Sequence, residues 1–438
     1  MQDLPPDQLR LRERGARSRG PARRKAGLVA VGLAAGLAQG ILTSRVMAGA
    51  GSSPGWRLPP TNRVSRTYPR LVNYHHRWLA ESQVDHREER LAQWNVVILN
   101  PDDVARQGLS LALMRATNPR LNILAWIPLG QEPGGMAIAR GIPRQGKGDW
   151  FCRDAECRPI IAPWGGRFMN PYAGDFAWPK YAAAFVATNY LRAGQYDGVL
   201  FDILSPGNWL RADLDGDGRC DSTDEAAWVR GQALAAERLR QLAPGAIIVG
   251  NGGPPWPAGC PYFAHANGCL HENALGDEFG VPGWNTLWDG HQTCLTRAKP
   301  QPAVFFAVVD VRHERTLEQA ERLATLSDDD RRRMRLGLGT TLLGEGYFGF
   351  DRGDCLHGQL WWFDEYDADL GTAREAYRRD VFAAGTYSRQ FERGVAIVNP
   401  TPAAVTVKLA DALKDMTTRR VAAEFAIPAQ DARLFVKP

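Results

Sequence analysis

Short apolar runs rich in Val, Ile, Leu and Phe recur along residues 70–350. Each is followed by a stretch whose apolar positions return every three or four residues. A continuous apolar run of four to eight residues is the signature of a strand buried on both faces. The three-to-four spacing is that of a helix packed by one side. Eight such runs stand at 70–74, 95–100, 122–127, 198–202, 246–251, 268–272, 303–309 and 343–350. Between them the pattern predicts amphipathic helices, among them 225–242 and 317–326. The segment Ser327-Asp328-Asp329-Asp330 has the form of a helix start, a capping hydroxyl followed by acids in the first turn. Strands joined by helical crossovers lie parallel, so the expected fold is α/β, a (β/α)8 TIM barrel over residues 69–381. A doubly wound sheet is the competing arrangement. It ordinarily carries a Gly-rich phosphate turn after its first strand, and here that place holds Tyr74-His75-His76.

Beyond residue 381 the rhythm changes. Runs at 387–398, 404–409, 420–425 and 432–436, with turn residues between them, predict a small antiparallel β domain over 382–438. Two connections inside the barrel are long. The one after the third strand, 128–195, carries Trp150, Trp164 and Trp178 and reads as an ordered cleft wall. The one after the fourth strand, 205–224, is acidic. Long loops in a compact domain generally carry function.

Charge changes the picture at one end only. The net charge of +5 resides in residues 1–25, and the remainder is balanced. A neutral body removes the electrostatic case for nucleic acid. The basic stretch Arg10 to Lys25, the apolar run 26–41 and the small-residue site Val46-Met47-Ala48 together predict a signal over residues 1–50, with a linker at 51–68. The expected location is therefore outside the cytoplasm: periplasmic, cell-surface or secreted. A cleaved signal peptide and an uncleaved anchor both fit, and contact with a membrane is expected only through this segment. Seven cysteines suit an exported chain. Pairings considered are Cys152 with Cys157, Cys260 with Cys269 and Cys294 with Cys355, leaving Cys220 over; sequence does not choose among connectivities.

Barrel strands aim their C-terminal residues at one shared mouth. Read off the runs, those residues are His75, His76, Asn100, Asp202, Asn251, Glu272, Asp310 and Glu345. Asp202, after GVLF, and Glu272, after GCLH, form the natural pair for glycoside cleavage. One carboxyl protonates the leaving oxygen, and the other attacks the sugar or activates water. Asp202 is expected as the nucleophile, or the base in an inverting reaction, and Glu272 as the general acid. Tyr74, His75, Trp126, Asn251, Asp310 and Trp362 are candidates for contact with a sugar. Each has a plainer reading as well. An acid at a strand end can cap the next helix or pair with an arginine, as Asp310 could with Arg312. Asn251 could serve the turn at Gly252-Gly253, and Trp126 could simply pack the mouth.

The acidic stretch DLDGDGRCDSTD places Asp213, Asp215, Asp217, Arg219 (through its carbonyl), Asp221 and Asp224 at positions 1, 3, 5, 7, 9 and 12 of an EF-hand-type loop. Gly218 stands at the tight turn. Oxygen ligands at that spacing predict structural Ca²⁺, although position 12 carries Asp in place of Glu. The single loop resembles the calcium loop of dockerins, which carry two. A solvated acidic turn is the plain alternative.

In order along the chain, WFCRDAECRPIIAPWGGRFMN at 150–170, YDGVLFDIL at 196–204, NGCLHEN at 267–273, GQLWWFDEYDADL at 358–370 and YSRQFERGVAIVNP at 387–400 resemble hypothetical glycosyl hydrolase family fifteen. The resemblance implies a (β/α)8 barrel with a C-terminal β domain, glycosidase activity on a polysaccharide or oligosaccharide, and Asp202 and Glu272 as the acids. In barrels of similar type the acid on strand four is the nucleophile. A Cys at 157, where a hairpin Gly is expected, favours a Cys152–Cys157 bridge. The alternative class is a non-catalytic, calcium-stabilised carbohydrate-binding or envelope protein on the same scaffold. Such a protein needs no close acid pair.

Overall fold

The computed structural model describes residues 67–75, 86–143, 149–154, 156–163, 165–205, 207–252, 260–275, 283–311, 326–352, 357 and 359–438. The segment expected as an N-terminal signal, His76, Trp164, Arg312 and Cys355 lie outside them, as does all but the last residue of the helix expected at 317–326. No described helix is long and apolar enough to cross a membrane.

Eight parallel strands follow one another in sequence order: β1 (Val72–His75), β2 (Val96–Leu99), β3 (Asn122–Pro128), β4 (Gly198–Asp202), β5 (Ile247–Asn251), β6 (Gly268–Ala274), β7 (Val304–Asp310) and β8 (Gly346–Asp351). The sheet closes on itself through a parallel bridge between Leu71 and Phe348, with the Phe348 N–H donating to the Arg70 carbonyl at 2.9 Å. Closure leaves no unpaired strand edge. The result is the expected (β/α)8 barrel. Seven of the eight observed strands both begin and end within two residues of the expected runs. β8 is the exception at its start, three residues later than expected.

Alternation along the strands separates two cores. One side chain in two points inward: Val72, Val96, Ile98, Leu124, Leu200, Val249, Leu270, Val304, Phe306, Val308 and Tyr347 fill the barrel. The other set faces the helices and merges with their apolar stripes into the large outer core. Continuing the inward set toward the C-terminal ends, by one step on most strands and by two on β8 past Gly349, gives Tyr74, Trp126, Asp202, Asn251, Glu272, Asp310 and Asp351. The top layer is thus polar where the layers beneath are aliphatic and aromatic.

Four of the seven described helices start on side-chain caps. Helix α1 (Arg87–Leu91) is short. In α2 (Pro101–Gln107) the Asn100 side chain accepts the Asp102 N–H, so Asn100 is a cap and not a mouth residue. Helix α3 (Leu111–Thr117) is capped by Ser110. Helix α4 (Ala173–Val186) crosses to β4, α5 (Ser222–Leu242) follows the acidic loop, and α6 (Trp284–Arg297) follows β6. The last, α7 (Asp328–Leu342), begins on the expected Ser327. Its hydroxyl accepts the Asp330 N–H, while the Asp330 carboxylate accepts the Ser327 N–H. Such caps contribute about 1 kcal/mol each.

A six-stranded antiparallel sheet completes the chain. It comprises β9 (Arg378–Arg379), β10 (Tyr387–Gln390), β11 (Gly394–Asn399), β12 (Val405–Asp415), β13 (Val421–Ile427) and β14 (Asp431–Val436). The run expected as one strand at 387–398 is a hairpin. The sheet lies against α7, whose Gly339 meets Ala432 so closely that a β-carbon at 339 would stand 2.4 Å from that of Ala432. Arg335 clamps Asp431 through two bonds of 2.8 and 2.9 Å.

The cysteine pairings are not made. No disulfide joins any of the six described cysteines. The Cys152 thiol is buried beside Phe168 and Trp228 and donates to the Met169 carbonyl, whereas Cys157 is exposed on a left-handed turn. Cys269 and Cys294 are both buried, and the Cys294 sulfur accepts the Cys269 N–H and donates to the Val304 carbonyl.

Candidate active site

At the C-terminal mouth one amide joins two acids. The Asn251 Nδ2 group donates to Asp202 Oδ1 at 2.8 Å and to Glu272 Oε2 at 2.5 Å. Those two oxygens are therefore at most about 5.3 Å apart, the two bonds laid end to end. An amide turned the other way would set its oxygen against two carboxylates, so chemistry fixes the orientation. Register explains the meeting. Asp202 pairs with Asn251 across β4 and β5, and Asn251 with Leu270 across β5 and β6. Glu272 is the next inward residue after Leu270.

The end of β4 is tightly determined. The Asp202 carbonyl accepts the N–H groups of Leu129 and Gly130, and its own carboxylate accepts the Ile203 N–H at 2.9 Å. Ile203 sits at φ 54°, left-handed for a β-branched residue, a conformation that costs on the order of 1–2 kcal/mol. Gly252 makes the neighbouring turn possible, since a β-carbon there would lie 2.0 Å from the Leu204 carbonyl oxygen.

Trp126 Nε1 donates to the second Asp202 oxygen at 3.1 Å. Tyr74 is buried beneath the pair. Its hydroxyl is pushed well above the ordinary phenol range by burial and then by the charges of Asp202 and Glu272, and it keeps its proton. Asp202 retains a narrow opening to solvent but is surrounded by protein. Burial, then the Glu272 charge, raise its pKa to about 7 against the hydrogen bonds from Asn251, Ile203 and Trp126. A carboxyl titrating near neutrality at a barrel mouth is the arrangement that proton-transferring enzymes use.

Two residues that strand-end reading did not select complete the site. Asp351 ends β8 and is buried. Its Oδ2 lies 2.8 Å from His357 Nδ1, and His357 Nε2 lies 2.8 Å from Glu272 Oε1. The His357 ring also packs on Tyr74, with centroids 4.6 Å apart.

Other expected residues fall elsewhere. Glu345 precedes β8 and lies at the opposite end of the barrel. There it accepts from Arg70 at 2.6 Å, Tyr68 at 2.7 Å and Arg389 at 2.8 Å. Trp362 is on the outer wall, edge-on to Trp94 just before β2, with its Nε1 on Asp367. It is not at the mouth. Trp361 also lies outside the barrel, edge-on to Phe350. Asp310 is wholly buried at the end of β7, in register with Asp351. His75 ends β1, and its side chain lies outside the described residues.

The acidic loop packs against the first long insertion. That insertion folds as a small antiparallel flap through bridges such as Gln131–Phe168 and Ile161–Arg167, and Arg153 bridges directly to Asp213. Phe168, Cys152, Leu214 and Trp228 form a shared core. Carboxylate oxygens of Asp213, Asp215 and Asp224 lie within 4.8 Å of one another. Asp224 is buried, accepts the Leu214 N–H at 2.7 Å, and closes a capping box with Asp221 at the start of α5. Asp217 and Asp221 turn oxygens to the N–H groups of Arg219 and Thr223. The Asp215 carboxyl accepts the Asp217 N–H, which lowers it, yet loss of water and then the charges of Asp217, Asp224 and Asp213 lift it above the usual range. A cation would relieve that repulsion, and the residues fit a hard, oxygen-liganded ion.

A closed (β/α)8 barrel with two carboxyls held together at its C-terminal mouth is an arrangement that glycoside-cleaving barrels share. This chain belongs to hypothetical glycosyl hydrolase family 15, whose family model matches residues 131–395. No curated protein matches the sequence. Among solved structures, the chain is similar to Amy13B of Eubacterium rectale at 8% identity, covering 86% of this chain and 96% of that one, with a TM-score of 0.48. It is similar to the alpha-amylase of Geobacillus thermoleovorans complexed with acarbose at 9% identity, covering 84% and 97%, with a TM-score of 0.42. It is also similar to the glycoside hydrolase domain of PelA from Pseudomonas aeruginosa at 17% identity, covering 65% and 95%, with a TM-score of 0.37.

Proposed function

We propose that the protein is an exported glycoside hydrolase that cleaves a polysaccharide or oligosaccharide with Asp202 and Glu272 as its two carboxyls. The observation that carries this reading is the amide bridge. Retaining enzymes hold their carboxyls roughly 5–5.5 Å apart, and inverting enzymes roughly 6.5–9.5 Å, to admit a water. A pair bonded to one amide nitrogen suits the retaining course, in which one carboxylate attacks the sugar and the other shuttles the proton. Asn251, Trp126 and the Ile203 N–H fix the geometry before substrate arrives. That pre-organisation is what makes such groups effective. A carbohydrate-binding protein without catalysis has no use for two acids forced together against their mutual repulsion. Release of reducing ends from bacterial and plant polysaccharides by the mature protein tests the proposal; Asp202→Asn and Glu272→Gln should each release none.

The reading includes a structural Ca²⁺ held by Asp213, Asp215 and Asp224, with Asp217, Asp221 and the Arg219 carbonyl as the other ligands. Its part is to pin the flap and the loop after β4 to the start of α5. An ion present at about one hundred times its dissociation constant stabilises a fold by about 2.7 kcal/mol. Chelation should lower the melting temperature, and added calcium should restore it. An unchanged melting curve would count against the ion. Export rests on the basic and apolar N-terminal segment; a fusion of residues 1–50 to a reporter active only outside the cytoplasm tests it.

A further inference from the structure

The charges around the two acids are unequally balanced. Among the described residues Asp202 meets only neutral donors: Trp126 Nε1, the Asn251 amide and the Ile203 N–H. Glu272 meets the same amide and also His357, whose Nε2 is 2.8 Å from Oε1. The other ring nitrogen faces Asp351 Oδ2 at 2.8 Å, and both His357 and Asp351 are 4% exposed at the side chain. A neutral imidazole has one N–H. Its second nitrogen would then turn a lone pair on a carboxylate with no water to intervene. Between two carboxylates the ring therefore takes up a second proton and becomes the buried counter-charge of the cluster.

Two carboxyls sharing one amide cannot both ionise freely unless a positive charge stands by. Among the described residues Glu272 has that charge and Asp202 does not. We infer that His357, oriented by Asp351, fixes Glu272 as the ionised carboxylate and nucleophile and leaves the transferable proton on Asp202. This rests on the two-carboxylate reading above and reverses the roles suggested by strand order. In keeping with this, His357 is held well above the ordinary imidazole range by Glu272 and Asp351 in spite of its burial, and Asp202 is raised. Among the described residues, the titratable groups facing the cluster are Asp202 from β4, Glu272 from β6, Asp310 from β7, Asp351 from β8 and Tyr74 from β1.

The chemistry then balances. A Glu272 oxygen attacks the anomeric carbon, and the bond from that carbon to the glycosidic oxygen breaks. The departing oxygen keeps the electron pair and takes the Asp202 proton. Water next adds to the anomeric carbon, Asp202 recovers a proton from it, and Glu272 leaves as the carboxylate. His357 and Asp351 touch neither sugar nor water in these steps; they are positioning residues.

The test is a carboxyl ¹³C NMR titration of the full chain with labelled Asp and Glu, without substrate, the two resonances assigned through Asp202→Asn and Glu272→Gln. Asp202 should titrate at least one pH unit above Glu272. In His357→Gln the Glu272 midpoint should rise by at least one unit and that of Asp202 should fall. Asp351→Asn, which keeps the ring bonded but removes a charge, should move both in the same directions by less, and it serves if His357→Gln fails to fold. Glu272 titrating above Asp202 in the unaltered protein, or an unchanged order and spacing in the variants, would overturn the inference. Cleavage of polysaccharide with Glu272 the higher of the two defeats this assignment and leaves the hydrolase. The expected order without cleavage of any polysaccharide defeats the hydrolase and leaves the charge assignment.

Discussion

The barrel carries a guarded carboxyl at each end, and the two are treated in opposite ways. At the bottom, Glu345 is desolvated by its neighbours, yet Arg70, Arg389 and Tyr68 hold its pKa down to about 2. At the mouth, burial and Glu272 push Asp202 up to about 7. The bottom cluster ties β1, β8 and the C-terminal sheet together, since Arg389 belongs to β10 and also donates to the Gly344 carbonyl at 2.6 Å. It is arranged for stability. Among the described residues the mouth gathers acids with one imidazole, an arrangement that weakens the fold and suits proton transfer. The same side-chain chemistry thus serves structure or reaction according to the charge placed beside it.

The largest expected contrast is in turnover. Asp202→Asn or Glu272→Gln should reduce hydrolysis by at least about 10²-fold. Glu345→Gln should leave the rate per folded molecule unchanged, as reducing-end assays on purified, folded protein would show. Loss of activity in Glu345→Gln at full folding would erase the distinction between the two ends.

Next in size is pH. Hydrolysis should fall as pH rises through about 7, where Asp202 loses its proton. A rate flat from pH 5 to 9 would remove Asp202 from proton transfer.

Stability should respond in opposite senses. A carboxyl raised to about 7 contributes stability fully present below its unfolded value near 4, and loses it as pH rises through about 7. Asp202→Asn should therefore stabilise the protein at pH 8, by about 1–3 kcal/mol in urea unfolding. Glu345 has the opposite sign. Its contribution is present above its unfolded value and is lost as pH falls toward about 2. With 47% of its side chain exposed, Glu345→Gln should lower stability at pH 7 by only about 1 kcal/mol. That smallest effect needs paired denaturation curves.

Much of this was legible in the sequence because burial imposes strict periodicity. Strand β4 was found to the residue, and the alternation Leu200–Asp202, Val249–Asn251 and Leu270–Glu272 placed the central three groups. The eighth strand shows how that logic slips. Its run was begun at Leu343, inside the turn that ends α7, and stopped at Phe350. The shift nominated Glu345 and missed Asp351, which follows Tyr347 and Gly349 on the inward face. His357 had no periodicity to announce it, because it reaches the site from a loop by tertiary packing alone. Trp362 was misplaced because the chain after β8 runs down the outside of the barrel, as the Leu370 N–H bonded to the Tyr68 carbonyl shows. The cysteine pairings failed for a related reason: closeness in sequence says nothing of which side of a sheet a thiol faces.

The central claim is that Asp202 and Glu272 together cleave a glycosidic bond with retention. The most direct measurement is ¹H NMR of the anomeric proton released in the first minutes from a polysaccharide the protein degrades. Asp202→Asn and Glu272→Gln would be run beside the unaltered protein. The account predicts new reducing ends of the same anomeric configuration as the bond cleaved, and none from either variant. Inverted product, or release by either variant at the rate of the unaltered protein, would contradict it.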